Sequence, residues 1–266
     1  MLKDVTLGQF FPGSSVLHRL DPRGKLLLVV LYITALFFAK GPILYAVMFF
    51  WLALAVAVCG VRVKVLMRGM RPLLIIIIIT GLLNIFMVPG ENILPPDWGI
   101  RISREGLMQA GYMISRIFML ISATFLLTYT TSPIQLTDAL ERVLSPFKKI
   151  RLPVHELAMM MTIALRFIPT LIEETDKIMN AQKARGGDFE SGNLFRRIKS
   201  MVPLLVPLFV SAFRRADELA TAMECRCYHG GEGRTRMRVL RWGRIDLFVI
   251  SGCLLTAAAV VVASRL

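Results

Sequence analysis

The sequence contains none of the short motifs with which most enzymes hold phosphates, metals or nucleophiles. It has no Walker-type glycine-rich loop, no HExxH pair and no GxSxG turn, and its three histidines are far apart. The chain by itself is therefore not predicted to be an enzyme. Any energy or chemistry that it uses must come from another subunit.

Cysteine is also scarce. The four cysteines lie in apolar runs or in a basic region, so they do not resemble the disulfide framework of a secreted protein. Cys225, Cys227 and His229 alternate along the chain, but they lack the usual Cys-x-x-Cys spacing and a second ligand cluster, so no metal site is predicted. The first 20 residues lack the continuous apolar run of a cleavable signal peptide, and the first span is expected to direct insertion.

Acidic residues are few, and apolar residues come in blocks. The chain has 32 lysines and arginines against 18 aspartates and glutamates, a net charge of +14. Its mean hydropathy of +0.62 is too high for an ordinary soluble domain. The apolar blocks predict an all-α polytopic membrane protein with about five transmembrane helices. They are residues 26–39, 43–61, 73–88, 107–130 and 247–263.

The first two blocks are short for a span and meet at a tight reversal, Lys40-Gly41-Pro42. They can cross the bilayer by thinning it locally or by snorkelling of flanking cations. Basic residues are concentrated before residue 26, in the predicted loop 62–71 after the second span and in 131–244, whereas the loop 89–106 is slightly acidic. The positive-inside rule then predicts a cytoplasmic N-terminus and an external C-terminus.

Nucleic acid is not a predicted partner, because the basic residues follow the membrane boundary and form no recognisable module. The basic run 234–238, with Arg241 and Arg244, is expected to fix the topology and to contact anionic lipid. Asp21-Pro22 fits the start of a helix, with the aspartate as its cap. His18 stands beside it and is not assigned to catalysis.

One arginine, Arg116, lies inside the fourth apolar block, where a charge is costly and normally faces protein or water. We expect it to bond carbonyls or a carboxylate of a neighbouring span. Gly111 and Ser115, four residues apart, would allow another helix to approach closely.

The region between the fourth and fifth spans predicts three helices, over residues 134–144, 153–184 and 193–227. The first is short and amphipathic. The other two begin apolar, turn polar, and contain prolines that are expected to bend them, Pro169 in one and Pro203 and Pro207 in the other. The predicted organisation is a membrane domain of four spans (1–130), a cytoplasmic-side coupling domain (131–244) and a last span (245–266).

Two segments of this coupling domain nearly repeat each other. Residues 181–186 read AQKARG and residues 222–227 read AMECRC, so an arginine between small residues recurs near the end of each long helix. The helix dipole alone favours an arginine there. The recurrence and the small neighbours, however, leave each guanidinium prominent and able to make forked bonds in a groove of a partner. The predicted docking residues are Ala184, Arg185, Gly186, Cys225, Arg226 and Cys227.

Four segments carry a family resemblance. They read SVLHRLDPRGK (15–25), TTSP (130–133), LRFIP (165–169) and AQKARG (181–186). Together they resemble the transmembrane T component of energy-coupling factor (ECF) vitamin transporters, and the similarity extends over essentially the whole chain. The second tip departs from the family, which often has Ala-Arg-Gly where this chain has Cys225-Arg226-Cys227, although the arginine is kept.

The resemblance implies a non-catalytic scaffold in the inner membrane of a bacterium. Such a subunit joins two cytoplasmic ATPases of the ATP-binding-cassette type to a substrate-binding membrane protein, the S component. Arg185 and Arg226 would each anchor one ATPase, and ATP and Mg²⁺ would be bound by those partners, with no cofactor in this chain. ATP-driven closing would shift the coupling helices and tilt the S component. The surface of this chain that would contact the S component is apolar and rich in methionine, and the methionine side chains would make that surface adaptable.

Three alternatives stay open. The chain can be a T component dedicated to one substrate, such as cobalt, nickel or biotin. It can be a membrane enzyme with an intramembrane site around Arg116 and Asn84, although few polar candidates are present. It can also be a receptor or assembly factor that uses its basic face to hold lipid or a cytosolic protein.

Overall fold

The structure is a computed structural model, and it describes residues 10–11, 13, 15–61, 63–91, 103–150, 153–187, 189, 194–231, 240 and 242–264. No β-strand occurs among these residues, which agrees with the predicted all-α class. The α-helices are α1 (Val16–Arg19), α2 (Pro22–Phe38), α3 (Pro42–Cys59), α4 (Val63–Met70), α5 (Leu74–Met87), α6 (Arg104–Thr130), α7 (Pro133–Leu144), α8 (Val154–Ala184), α9 (Leu194–Cys225) and α10 (Arg244–Ala263).

The chain forms two compact units, and the boundary between them falls inside α7. One unit, here called the bundle unit, contains Leu7–Ala139 and Leu240–Leu266. The other, the two-helix unit, contains Leu140–Val239 and is built from α8 and α9. The domain boundaries that the sequence predicted at residues 130 and 244 stay predictions.

The bundle unit is organised around α6, which packs against α2, α3, α4 and α5, while α10 packs against α2. Its core combines large side chains with alanines, because a helix in lipid gains from close packing rather than from leaving water. The alanines let the backbones approach each other, and the large side chains fill the space between them. These buried residues include Ala35, Leu36, Ala39, Met48, Leu52, Met119, Ala123 and Val260.

The helix ends in the bundle unit follow local sequence signals. Asp21 caps α2 by accepting a hydrogen bond from the Arg23 amide, as predicted. The predicted reversal at residues 40–42 is confirmed: α2 ends at Phe38, Gly41 adopts a positive φ of 83°, and α3 begins at Pro42. Gly41 suits that φ because it has no Cβ.

The basic segment 62–71, which the sequence predicted as a loop, is mostly helical. It forms α4, which continues through a 3₁₀ turn, Arg71–Leu73, into α5. Leu66 and Met70, four residues apart, are buried, and α4 packs on α6. A helix is therefore favoured here because one face can be buried while Lys64 and Arg68 stay exposed.

The two long helices of the two-helix unit agree closely with the predicted segments 153–184 and 193–227. Both run without interruption through their prolines, Pro169 in α8 and Pro203 and Pro207 in α9. Many large apolar side chains on these helices are exposed, including Leu157, Met160, Met161, Val206, Phe209 and Phe213.

Five helical stretches of the described chain are long and apolar enough to cross a membrane. Four of them correspond to predicted spans, namely Pro42–Cys59, Lys64–Met87, Arg104–Thr130 and Arg244–Ala263. The fifth is Val154–Ala184, which the sequence assigned to the coupling domain. The predicted first span corresponds to α2, whose 17 residues reach about 25 Å.

Candidate functional site

The first predicted docking residue, Arg185, caps α8 in a Schellman motif. The Gly187 amide donates to the Gln182 carbonyl at 2.8 Å, and the Gly186 amide donates to the Lys183 carbonyl at 3.0 Å. Gly186 has a positive φ of 85°, which this motif requires and which glycine adopts without strain. The carbonyls at the end of α8 are thus satisfied locally, and the chain turns sharply just after Arg185.

Arg226 occupies the same position at the end of α9. The Tyr228 amide donates to the Met223 carbonyl at 3.1 Å, and the Cys227 amide donates to the Glu224 carbonyl at 2.8 Å. Cys227 takes the place of the glycine with a φ of 54°, and it is the one non-glycine residue of the described chain with a positive φ. The two tips therefore share one backbone geometry although their sequences differ.

Both arginines are free to bind a partner. Arg185 and Arg226 are exposed, as are Ala184, Gly186, Cys225 and Cys227 on either side of them. Within the part of the chain that the structure describes, neither guanidinium makes a hydrogen bond or an ion pair. Each presents a full set of planar donors that can bind a carboxylate in a bidentate manner.

The two arginine tips are held apart by the way that α8 and α9 cross. Glu174 of α8 accepts hydrogen bonds from Ser211 (2.5 Å) and Arg215 (2.6 Å) of α9. Further along α8, Gln182 donates to the Pro203 carbonyl at 3.4 Å. Because the contacts move backwards along α9 as they move forwards along α8, the helices run antiparallel where they pack.

This antiparallel packing puts the two tips on opposite sides of the crossing. From Glu174 to Arg185 the helix rises about 16 Å, and from Ser211 to Arg226 it rises about 22 Å, so the tips are roughly 30–40 Å apart. One small groove cannot take both arginines at that separation. The arrangement suits two separate binding sites.

The cysteines beside Arg226 are not part of a metal cluster in the structure. Cys225 and Cys227 are exposed free thiols. Among the described residues, no three His, Cys, Asp or Glu side chains are close enough together to hold a metal ion. The basic run 234–238 and most of the acidic loop 89–106, on which the topology prediction depends, lie outside the described residues.

A second constellation, which we call the junction cluster, joins the ends of three bundle helices. It consists of Asp21, Arg23, Lys25, Thr130, Thr131 and Asp246. Lys25 is 5% exposed, and its ammonium donates to the Thr130 carbonyl at 3.0 Å and to the Thr131 hydroxyl and the His18 carbonyl at 3.4 Å. The start of α2 is thereby tied to the end of α6.

The other half of the junction cluster ties α2 to α10. One oxygen of Asp246 accepts from the Asp21 amide at 2.9 Å, and the other accepts from the Gly243 amide at 2.7 Å. Arg23 donates to the Leu240 carbonyl at 2.8 Å and lies over the Trp242 ring. Two segments of the family resemblance, 15–25 and 130–133, thus meet in space. The sequence predicted the Asp21 cap but missed Asp246, whose only signal is a carboxylate at the start of a span.

The partners that the sequence predicted for Arg116 were wrong. Its guanidinium lies over the rings of Phe37 and Tyr45, at 5.7 and 5.9 Å from their centroids, rather than against carbonyls or a carboxylate. Aromatic faces attract a cation in a desolvated site, so they can take this role. Gly111, which was expected to admit a neighbouring helix, has no atom within 4 Å of its Cβ position.

Asn84, the other residue of the membrane-enzyme alternative, donates to the Thr80 carbonyl of its own helix at 2.9 Å. Arg116 and Asn84 therefore each have other contacts and do not form a common polar site. No hydrogen bond joins the two side chains in the described chain.

Comparison with known proteins gives a consistent result. A family model described as "Cobalt transport protein" (CbiQ) matches residues 13–237. A protein of Ruminiclostridium cellulolyticum is 52% identical over 250 residues, covering 94% of this chain and 93% of its own. One of Clostridium kluyveri is 51% identical over 269 residues (100% and 98%), and one of Bacillus subtilis is 48% identical over 258 residues (97% of each). All three are named "Energy-coupling factor transporter transmembrane protein EcfT".

Proposed function

The chain belongs to the EcfT family of energy-coupling factor transporter transmembrane proteins, and from this premise we propose that it couples two cytoplasmic ATPases to a substrate-binding S component. It is a multi-pass membrane protein and a transport component. In the proposed complex, Arg185 and Arg226 each dock into one ATPase of the ATP-binding-cassette type. The tips and the N-terminus lie in the cytoplasm.

The observation that carries this proposal is the pair of matched tips. Each is a capped helix end with one exposed arginine that has no partner among the described residues. Their separation of roughly 30–40 Å along the helices is too large for one small groove and suits two separate partner subunits. A closing movement of those ATPases would act on both tips and so on the α8–α9 crossing.

The exposed apolar side chains of α8 and α9 support the second half of the proposal. Met160, Met161, Phe209 and Phe213 form surface that water does not favour. A membrane-embedded S component could slide on such a surface, and the unbranched methionines would adapt to it. ATP and Mg²⁺ would be bound by the ATPases and the vitamin or other micronutrient by the S component, so this chain needs no cofactor.

A mild-detergent purification of the tagged chain with its native partners tests the docking role. The double variant Arg185→Glu/Arg226→Glu should lose both ATPases, because each tip then presents a negative charge to a site built for a cation. Arg214→Glu is the matched control, since Arg214 is exposed on α9 far from its tip and should leave the complex intact.

Retention of both ATPases by the double variant, or full vitamin uptake by Arg185→Ala/Arg226→Ala, would contradict the docking model. Absence of any ATPase from the wild-type sample would instead favour a receptor or assembly factor.

One observation keeps a second candidate open. The matching family model is described as a cobalt transport protein. That description would suit a T component dedicated to one substrate such as cobalt, nickel or biotin. Identifying the small membrane proteins that co-purify from cells starved of different vitamins separates the two. A shared component should bring down several S components, and a dedicated one should bring down the same partner each time.

A further inference from the structure

An apolar groove of about 370 Å³ lies in the bundle unit between α2, α3, α6 and α10. It is open to the outside of the bundle, since Leu54, Val58 and Phe248 on its walls are all exposed. Its two most polar side chains are already engaged: Tyr32 donates to the Met48 carbonyl, and Lys25 donates to Thr130. The rest of the lining is almost entirely apolar, so the groove suits a hydrocarbon chain better than a polar solute.

The groove is about as long as one half of a bilayer core is thick. It lies where α2 and α10 begin and where α3 and α6 end, and it extends from Lys25 to Tyr32 along α2, a rise of about 10 Å. Half of a bilayer core is about 15 Å. A transmembrane helix of a partner would need a surface of about 30 Å, so the length of the groove matches a lipid tail much better.

The mouth of the groove carries unbalanced positive charge. Asp21 and Asp246 are the only carboxylates in residues 10–61 and 240–264, and both are buried and already engaged. Asp21 pairs with Arg23, and Asp246 accepts from the Asp21 and Gly243 amides. Two further arginines at this end, Arg19 and Arg244, are exposed and have no partner among the described residues.

These two arginines adjoin the groove through their own helices. Arg19 is exposed at the end of α1, one residue before Leu20, which lines the groove. The bond from the Asp21 amide to Asp246 brings this segment beside the start of α10. Arg244 begins α10 one turn before Phe248, which also lines it, and residues four apart share a helix face. A phosphate at the mouth would meet two exposed guanidinium groups, while Asp21 and Asp246 are buried.

We propose that this groove binds an anionic glycerophospholipid, with one acyl chain in the groove and the phosphate held by Arg19 and Arg244. The anionic headgroup is favoured because the junction cluster has no spare carboxylate to pair with a cationic headgroup. The site depends on the membrane location of the bundle and not on the docking of ATPases at the arginine tips.

Trp51 makes the proposal measurable, because it lines the groove and is one of only three tryptophans. The full-length chain with Trp98→Phe and Trp242→Phe retains Trp51 as its single tryptophan. It is reconstituted into two series of vesicles. One contains dibrominated phosphatidylglycerol in unbrominated phosphatidylcholine, and the other contains dibrominated phosphatidylcholine in unbrominated phosphatidylglycerol. Bromine quenches tryptophan only at close range, so the two titrations give the relative occupancy of the groove by the two lipids.

We expect phosphatidylglycerol to be favoured at Trp51 by about fivefold or more, the effect of roughly one arginine at an anionic surface. Arg19→Gln/Arg244→Gln should bring the ratio close to one, whereas Arg104→Gln, an exposed arginine at the opposite end of α6, should leave it unchanged.

A third variant tests the acyl chain separately. Gly252→Leu adds a side chain inside the groove, and its Cβ would meet only Trp51 at 3.8 Å, an ordinary contact. Quenching by both lipids should fall. Equal quenching by the two lipids in the parent protein, or a preference that survives Arg19→Gln/Arg244→Gln, would overturn the proposal.

Discussion

Arg185 and Arg226 stand at the same position of the same backbone motif, although the residues that follow them differ. The left-handed position after Arg185 is a glycine, whereas the position after Arg226 is Cys227. A non-glycine residue in that conformation costs about 1–2 kcal/mol, because its Cβ crowds the following carbonyl. The second tip thus keeps its shape at a local cost that the first tip does not have.

Cys227→Gly should stabilise the second tip. Relief of the left-handed strain is partly offset by the greater freedom of glycine in the unfolded chain, which leaves a net gain of about 0.5–1 kcal/mol. Amide hydrogen exchange at residues 227 and 228, read by mass spectrometry, should slow by about two- to fivefold. Gly186→Ala is the converse variant, and exchange at residues 186 and 187 should accelerate. Unchanged exchange in both variants would show that the caps do not control the stability of the tips.

At the scale of elements, one carboxylate accepts two hydrogen bonds at the crossing of α8 and α9. Glu174 is bonded to Ser211 and Arg215, and its neighbour Glu173 is exposed with no partner among the described residues. The two side chains are chemically identical and differ only in their contacts, so a substitution of Glu173 is a matched control for the same substitution of Glu174.

Spin labels at Arg185→Cys and Arg226→Cys, in a chain whose four native cysteines are replaced by serine, measure the separation of the tips. We expect a mean distance of roughly 30–40 Å. Glu174→Ala should broaden the distance distribution, because it removes the two hydrogen bonds that Glu174 accepts from Ser211 and Arg215. Glu173→Ala should leave the distribution unchanged. A distance below about 20 Å in the parent protein would contradict the antiparallel packing.

The sequence predicted the helices well and their contacts poorly. Apolar runs and proline or aspartate signals located α2, α3, α8 and α9 to within a few residues, since these are local properties. The bond between Lys25 and Thr130 joins residues 105 positions apart, and nothing in either segment specifies the other. Arg116 illustrates the same limit: burial was predictable from its place in a span, but the choice of aromatic rings over a carboxylate depends on how three helices pack.

The candidate site divides in the same way. The positions of the two arginines at helix ends followed from the repeated motif, and their shared cap depends only on nearby backbone bonds. Their separation could not be predicted, because it depends on the tertiary contact of Glu174 with Ser211 and Arg215. The helix over residues 63–70 was not predicted, because its charged residues indicated a loop. Burial of Leu66 and Met70 depends on packing against α6, a tertiary contact that the local sequence does not specify.

At the scale of the whole molecule, the predicted orientation puts both arginine tips on the cytoplasmic side. On that topology, the end of the bundle that holds the junction cluster also faces the cytoplasm. The opposite end, where α5 ends and α6 begins, would then face outwards. The loop that follows α5 begins at exposed residues, among them Glu91.

Labelling of intact cells with a membrane-impermeant maleimide tests this orientation. In a chain without native cysteines, Glu91→Cys should react from outside, and Lys183→Cys, exposed beside the first tip, should react only after the membrane is permeabilised. The reverse pattern would overturn the topology and, with it, the docking of cytoplasmic ATPases. The native chain is an unsuitable background because Cys225 and Cys227 are exposed thiols.

The capped ends of α8 and α9 also affect how tightly a partner can bind to them. A loose loop must give up its backbone freedom when it binds, at about 1–2 kcal/mol for each residue that becomes fixed. Here the residues around Arg185 and Arg226 are already fixed by their own amide bonds before any partner arrives. Association then restricts little beyond the arginine side chains, about 0.5–1.5 kcal/mol each. The conformational entropy cost of ordering the backbone of the tips is therefore largely settled when the chain folds.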